Sequence, residues 1–370
     1  MKDDIKTKIK KVFSYVFING LTGMAWGLFS TLIIGLIIEQ LGNLIGGNIG
    51  NLIVVIGKIA ASLTGAGIGV GVAVKYKETP FVTISAAIAG LIGAFASKIL
   101  QGSVIVDGTI ILNGPGEPLG AFIASFVGII CGRWIQGKTK LDIILVPIFT
   151  IMIGGAVGLL VGPPISNFML ALGELINWVV TKQPIIMGIL VSVLMGMILT
   201  LPISSAALTI ILNLSGLAGG AATVGCCANM VGFAVASFKE NGISGLISQG
   251  LGTSMLQVPN IMKKPIIWLP AIIASGILGP ISTVVLHMTN NASGAGMGTA
   301  GLVGQLMTWQ DMSGSENGVV LIIKIIILHF ILPGVIAWVT SYIMRKKGLI
   351  KDGDMKLESS IYRFTIDMSQ

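Results

Sequence analysis

The chain has 370 residues, of which 54% are hydrophobic and only 10% charged, with 51 Gly, a net charge of +8 and a mean hydropathy of +0.93. A soluble domain carries about 25% charged residues, so there is too little polar surface here to coat a water-soluble globule, and lipid must solvate much of the exterior. The positive balance does not signal nucleic acid, because Lys and Arg sit in short clusters beside apolar stretches rather than on one face of a domain.

A bilayer crossing needs about 20 mostly apolar residues. In chain order the sequence predicts ten helices, near 12–38, 51–74, 80–100, 119–136, 141–162, 165–181, 184–201, 207–236, 265–287 and 318–344. The stretch 165–181 carries Asn167, Glu174 and Asn177, so it also fits an interfacial helix. The basic stretch Met1–Lys11 precedes an apolar run too long for a signal-peptide core, which reads as an uncleaved first helix. With the N-terminus inside, all but three of the 23 Lys and Arg fall in alternate, inner segments, Lys182 and Arg363 among them; Lys58, Lys98 and Lys324 lie within helices. The positive-inside rule then puts both termini in the cytoplasm. The expected fold is an all-α polytopic transmembrane helical bundle of about ten spans. It is multi-pass in the cytoplasmic membrane of the cell, with a membrane domain over 1–347 and a short polar tail over 348–370.

Three stretches are expected to enter the bilayer and return. Ile243–Asn260 lies between Lys239 and Lys263–Lys264 and is rich in Gly and polar residues. Gln101–Pro118 and the loop 288–316 are the outer counterparts. Irregular backbone at membrane depth survives only where protein or water satisfies it. The tripeptide Pro-Ile-Ser recurs at Pro164–Ser166, Pro202–Ser204 and Pro280–Ser282. It suits either broken helix ends at the outer side or ordinary packing of small residues.

An ionisable group inside the bilayer costs about 2.5–3.5 kcal/mol on insertion scales and so needs a reason. Glu117 is the leading candidate, in Asn113-Gly-Pro-Gly-Glu-Pro-Leu-Gly120. Its prolines remove backbone donors and its glycines permit tight turns, so the acid can be presented to a solute's hydroxyls. The alternative is a cap on the following helix. His287 and His329 are the two histidines, each a candidate ligand or a packing residue. Ser204, Ser205, Asn213, Ser215 and Asn229 can hydrogen-bond a polar solute or a neighbouring helix. Gln249, Thr253, Ser254, Gln257 and Asn260 share that ambiguity, and Asn290, Asn291 and Ser293 can gate the outer side. The substrate-binding set drawn from these is Glu117, Asn113, His287, Ser204, Ser205, Asn213, Asn229, Gln249, Thr253 and Gln257. Cys131, Cys226 and Cys227 read as apolar fillers, no His, Cys or carboxylate spacing suits a metal, and no cofactor is expected. The chain has no Walker A motif, so ATP does not drive it directly.

The strings GPGEPLGAFIAS (Gly114–Ser125), Leu201–Ser237, SQGLGTSMLQVPNI (Ser248–Ile261) and NNASGAGMGTAGLVGQ (Asn290–Gln305) resemble the membrane proteins described as phosphotransferase-system subunit IIC-like, which include the perfringolysin O regulator-like proteins. The resemblance spans about 12–347. It implies an EIIC-like transport domain with re-entrant hairpins, a homodimer, and a small polar solute, a sugar, handed to separate cytoplasmic phospho-carriers of the IIA/IIB type. The Gly-Ile-Thr-Glu motif of glucose-type IIC domains is absent, so Glu117 and the histidines rest on the physical argument alone. Two rival functions stand beside the permease: a membrane sensor that regulates through a cytoplasmic partner, and an ion-coupled transporter without phosphorylation.

Overall fold

The computed structural model describes residues 14–106 and 108–358. The basic stretch Met1–Lys11 and the part of the tail that carries Arg363 lie outside them. Helix dominates, and the only sheet among the described residues is a two-stranded antiparallel hairpin, β1 (Ile105–Val106) and β2 (Thr109–Ile110). Six helices are long and apolar enough to cross a membrane, or seven if a pair bent by 54° is counted as one.

Helix α1 (Ser14–Ile45) runs into α2 (Gly47–Ser62), which turns back along it and meets α3 (Thr64–Lys75) at the 54° bend. Then follow α4 (Pro80–Ala94), a short α5 (Ala96–Leu100), α6 (Pro118–Ile135) and α7 (Asp142–Val180). Close backbone approach holds this half together. A Cβ added to Gly27 would stand 2.1 Å from the Gly67 carbonyl oxygen. Only glycine leaves α1 and α3 this close, and in lipid such van der Waals contact replaces the hydrophobic drive between helices. Leu52, Ile56, Trp134 and Leu160 face outward, as expected of a lipid-solvated exterior.

The second half comprises α8 (Pro184–Thr200), α9 (Ser205–Ile211), α10 (Gly216–Ala236) and α11 (Phe238–Ile247), followed by turns to α12 (Val258–Lys263). After these come α13 (Pro265–Val285), α14 (Ala292–Ala295), α15 (Val303–Met312) and α16 (Gly318–Lys346). Here α10 is the axis. Nearly all its residues are buried, and a Cβ on Gly225 would meet the Ser192 carbonyl oxygen at 1.9 Å.

Several expected boundaries move. The helices expected at 141–162 and 165–181 are one continuous α7, with Pro147, Pro163 and Pro164 inside it. At about 1.5 Å per residue its 39 residues reach about 58 Å, well beyond a hydrocarbon core of about 30 Å. The helix expected at 207–236 breaks at Asn213–Ser215, where Asn213 takes a left-handed φ of 49°. Of the three Pro-Ile-Ser sites, only Pro202–Ser204 is a chain break; the first lies inside α7 and the third inside α13. Much of Gln101–Leu112 is the exposed β1–β2 hairpin, anchored by buried Val104 and by Leu112 against the core, and the turn after it docks into the bundle.

Helix α8 runs antiparallel to α13. Thr283 Oγ1 donates to the Pro184 carbonyl at one end (2.9 Å), and Ser192 Oγ donates to the Ser275 carbonyl further along (2.7 Å). Pro184 is therefore level with the end of α13 remote from Lys263–Lys264, and so is Lys182 beside it, whereas the sequence reading had Lys182 on the same side as those lysines.

Candidate functional site

Four interrupted segments converge inside the bundle. The first is the turn Asn113–Glu117. Gly114 and Gly116 have φ of 79° and 73°, and a Cβ on Gly116 would strike the Ala94 carbonyl oxygen at 2.7 Å. The Glu117 amide donates to that same carbonyl (2.8 Å), where α4 gives way to α5. Two positive-φ glycines thus let the turn seat in a helix break whose carbonyl would otherwise lack a partner. Glu117 stands at the N-cap position of α6 without a side-chain cap bond, and its carboxyl lies near the backbone amides of Leu119 and Ser204. Its Oε1 is buried without a hydrogen-bond partner.

Ser204 belongs to the second segment, the α8–α9 break. Its hydroxyl caps α9 by accepting from the Ala207 amide (3.3 Å). Next to it, Ser205 Oγ donates to the Gly296 carbonyl of the 288–302 segment (2.7 Å). That third segment reaches the fourth, residues 248–257 between α11 and α12, through Thr299 Oγ1, which donates to the Gly250 carbonyl. Thr200 Oγ1 joins the fourth segment to α8 by its bond with Ser254 Oγ (2.8 Å). The chain breaks expected to surround a solute are therefore in mutual contact.

Asn229 is buried in this region and fully bonded. Its Nδ2 donates to the Gly225 carbonyl (3.1 Å) and Ser275 Oγ (3.1 Å); its Oδ1 accepts from Thr200 Oγ1 (3.2 Å) and Trp268 Nε1 (2.8 Å). That is the full capacity of a carboxamide. Gln249 is held likewise: Nε2 donates to Ser237 Oγ (2.9 Å) and the Gly245 carbonyl (3.0 Å), and Oε1 accepts from Gln257 Nε2 (2.9 Å). Thr253 caps the following turn through the Met255 amide (3.2 Å).

Three candidates lie apart. Asn213 is exposed, and its left-handed φ closes the end of α9, with the Leu214 amide on the Thr209 carbonyl (2.9 Å). Asn tolerates this conformation, so a turn explains the residue without a ligand. His287 is exposed, with φ 47°, in the turn after α13. Asn113 is exposed, and its carbonyl accepts from Lys98 Nζ (2.8 Å). The other histidine, His329, is buried beside Gln305, whose Nε2 lies 3.2 Å from its Nδ1 and 3.3 Å from Cys227 Sγ. Gln305 Oε1 and Ser282 Oγ are buried without a partner. Sequence reasoning passed over Thr200, Trp268, Ser275, Thr299 and Gln305. No local signal marks them, since each acquires its role from a residue at least 24 positions away.

Residues 18–357 match the family described as phosphotransferase system, EIIC. The chain belongs to that family. With its apolar helices, it is a multi-pass membrane transporter of the phosphotransferase type, and EIIC proteins work with IIA and IIB phospho-carriers. No curated protein matches the chain. Among the described residues no group of three or more His, Cys, Asp or Glu could hold a metal ion.

The end of the EIIC bundle that carries Lys239 and Lys264 is covered by residues 350–358. Asp354 pairs with Lys264 (2.6 Å) and Asp352 with Lys239 (2.7 Å). Burial works against the Asp354 charge, but the bonds from Lys264 and the Lys351 amide outweigh it and hold the carboxyl below its ordinary range. The bond and charge of Lys239, helped by Arg345, lower Asp352 in the same direction.

Proposed function

We propose that this EIIC protein carries a small polyhydroxylated solute, a sugar, across the cytoplasmic membrane, and that Glu117 is its principal ligand. The observation that carries this reading is the buried, unpartnered Oε1 of Glu117 at the meeting point of the interrupted segments. A carboxylate oxygen held away from water without a donor is costly, and a sugar hydroxyl would supply the missing bond. Ser204 and Ser205 stand beside it. Asn229, Gln249, Gln257 and Thr253 enter the solute's path only when their present bonds exchange.

The proposed topology has eight crossings: α1, the α2–α3 pair, α4–α5, α6, α7, α10, α13 and α16. The α8–α9 hairpin dips in from the outer side and returns, a reading that the antiparallel run of α8 against α13 supports. Segment 238–264 does the same from the inner side. An even number keeps both chain ends in the cytoplasm, moves Lys182 outside and leaves the inner side the more basic. Alternating access then follows from movement of the bundle that carries Glu117 against the one built round α10. Transfer of phosphate falls to separate IIA/IIB-type carriers, and the unit is a homodimer.

The test is uptake of a panel of radiolabelled hexoses and hexitols into proteoliposomes, with and without phospho-carrier proteins. Glu117→Gln is expected to abolish uptake and binding while the protein still elutes as a folded species. Unchanged affinity would remove Glu117 from the site, and no flux for any member of the panel, with saturable binding, would favour a sensor. A cysteine at Ser293 is expected to react with an impermeant thiol reagent added outside whole cells; reaction only after permeabilisation would invert the topology.

A further inference from the structure

The polar segment after α16 does not trail away from the bundle. It leaves the helix at Gly348 (φ 70°), turns again at Gly353 (φ 89°) and lies across the inner re-entrant segment. Ile350 and Met355 are its apolar anchors. Met355 has no exposed surface and packs in a cluster with Phe233, Ile261, Ile267 and Trp268. Its ion pairs are Asp352–Lys239, Asp354–Lys264 and Glu358–Lys75.

The polar contacts beneath it are specific. The Met355 carbonyl accepts from Asn241 Nδ2 and from Gln257 Nε2, both at 2.9 Å. The Lys356 carbonyl accepts from Asn260 Nδ2 (3.0 Å), and the Leu357 amide donates to Asn241 Oδ1 (2.8 Å). Gln257 and Asn260 are themselves joined (2.8 Å), and Gln257 continues to Gln249 (2.9 Å). Three carboxamides therefore spend donors and an acceptor on the main chain of one short extended segment. A gap of about 20 Å3 between Leu357, Glu358, Asn260, Leu256 and Trp26 lies behind it.

We propose that residues 350–358 are a displaceable strap, and that Met355–Leu357 act as an internal stand-in for the solute at a carboxamide site formed by Asn241, Gln257 and Asn260. The inference rests on the permease reading above and names the inner half of the solute path. When the strap lifts about Gly348 and Gly353, the carboxamides lose the partners that its main chain supplies. Buried carboxamides require partners, and the hydroxyls of a polyol match the vacated donors and acceptor one for one. The strap thus blocks the inner exit and balances its polar groups until a solute takes its place. Asn241 becomes a ligand residue that sequence reasoning did not single out.

The test uses the full chain in inside-out vesicles, with Cys131→Ser and a reporter cysteine at Leu256, beside the gap. Met355→Asp cannot seat in its apolar cluster and is expected to speed reaction of that cysteine with an impermeant maleimide about tenfold, the shift in open population that loss of a buried anchor brings. Asp354→Lys, which breaks a surface latch and leaves the bundle untouched, is expected to act in the same direction and covers the case in which Met355→Asp does not fold. Reaction rates equal to those of the reporter protein without either change would overturn the strap. In the strap-released protein, the same hexose and hexitol panel is expected to bind more tightly, and Asn241→Ala or Gln257→Ala to cancel the gain. A faster reaction with the panel bound no better would overturn the stand-in role. Loss of all panel binding in every variant, with the rate difference intact, would instead sink the permease reading and leave the strap's movement standing.

Discussion

The two halves of the bundle solve the same packing problem with different chemistry. From α1 to α6, helices meet through glycines whose backbones touch, as Gly27 and Gly67 do, and interhelical side-chain bonds are few and lie mostly at the ends, as in Thr79–Gln136 and Arg133–Glu78. From α8 to α16 the glycine contacts recur, as at Gly225 and Ser192, but a network of hydroxyls and carboxamides is added. That network coincides with the broken helices. Each break frees backbone groups that lipid cannot satisfy, so polar side chains must do it. Packing by contact alone gives one rigid arrangement. Packing by exchangeable hydrogen bonds allows a second arrangement at comparable free energy, which a transporter needs.

The sharpest way to break this contrast is to overfill a glycine contact. Gly27→Leu forces α1 from α3 and is expected to abolish a monodisperse peak in detergent, with Gly27→Ala costing about 1–3 kcal/mol in thermal unfolding. A fully folded Gly27→Leu would show that the first half is not rigid. Next comes the network. Asn229→Leu leaves Trp268 Nε1 without an acceptor and takes one bond each from Thr200 and Ser275, which keep others, and is expected to cost about 1–3 kcal/mol. Asn213→Gly, the same residue type at a left-handed turn, is expected to change stability by about 0.5 kcal/mol or less. Equal effects at the two asparagines would mean that the network is not what distinguishes the second half.

The smallest effect is the pH response of the strap. Asp352 and Asp354 have carboxyls lowered from 3.8 by Lys239 and Lys264, with Arg345 and the Lys351 amide contributing. Their contribution is complete above the unfolded value and is lost as pH falls through the lowered one. The distance between spin labels at positions 243 and 357 is therefore expected to stay constant from pH 8 to about pH 5 and lengthen only below about pH 3.8. Lengthening near neutrality would assign the latch to some other group.

Much of the architecture was legible in the sequence, because a crossing announces itself by length and apolarity. Helices α6, α13 and α16 fall within a few residues of their expected bounds. The continuity of α7 was not legible. Pro163–Pro164 reads as a stop, yet neighbouring helices tolerate it in lipid, where the alternatives to helix are worse. Glu117 stands out in the sequence as a lone acid between prolines and glycines in an apolar context, and the structure adds that its Oε1 is buried without a partner. Asn213 and Asn229 looked alike, and only their backbone angles and distant partners separate a turn from a network.

By itself, then, the sequence determined that this chain lives in lipid and that helices carry it across. These follow from composition and local order, since the cost of a charge or a broken helix in hydrocarbon does not depend on which neighbour lies nearby. Only the tertiary structure decided which carboxamides are spent on neighbours, that Glu117 keeps a buried oxygen without a partner, and that a polar tail folds back over the end of the bundle that carries Lys239 and Lys264. Those outcomes depend on hydrogen bonds between residues many tens of positions apart, and the order of residues along a chain does not encode such distances locally.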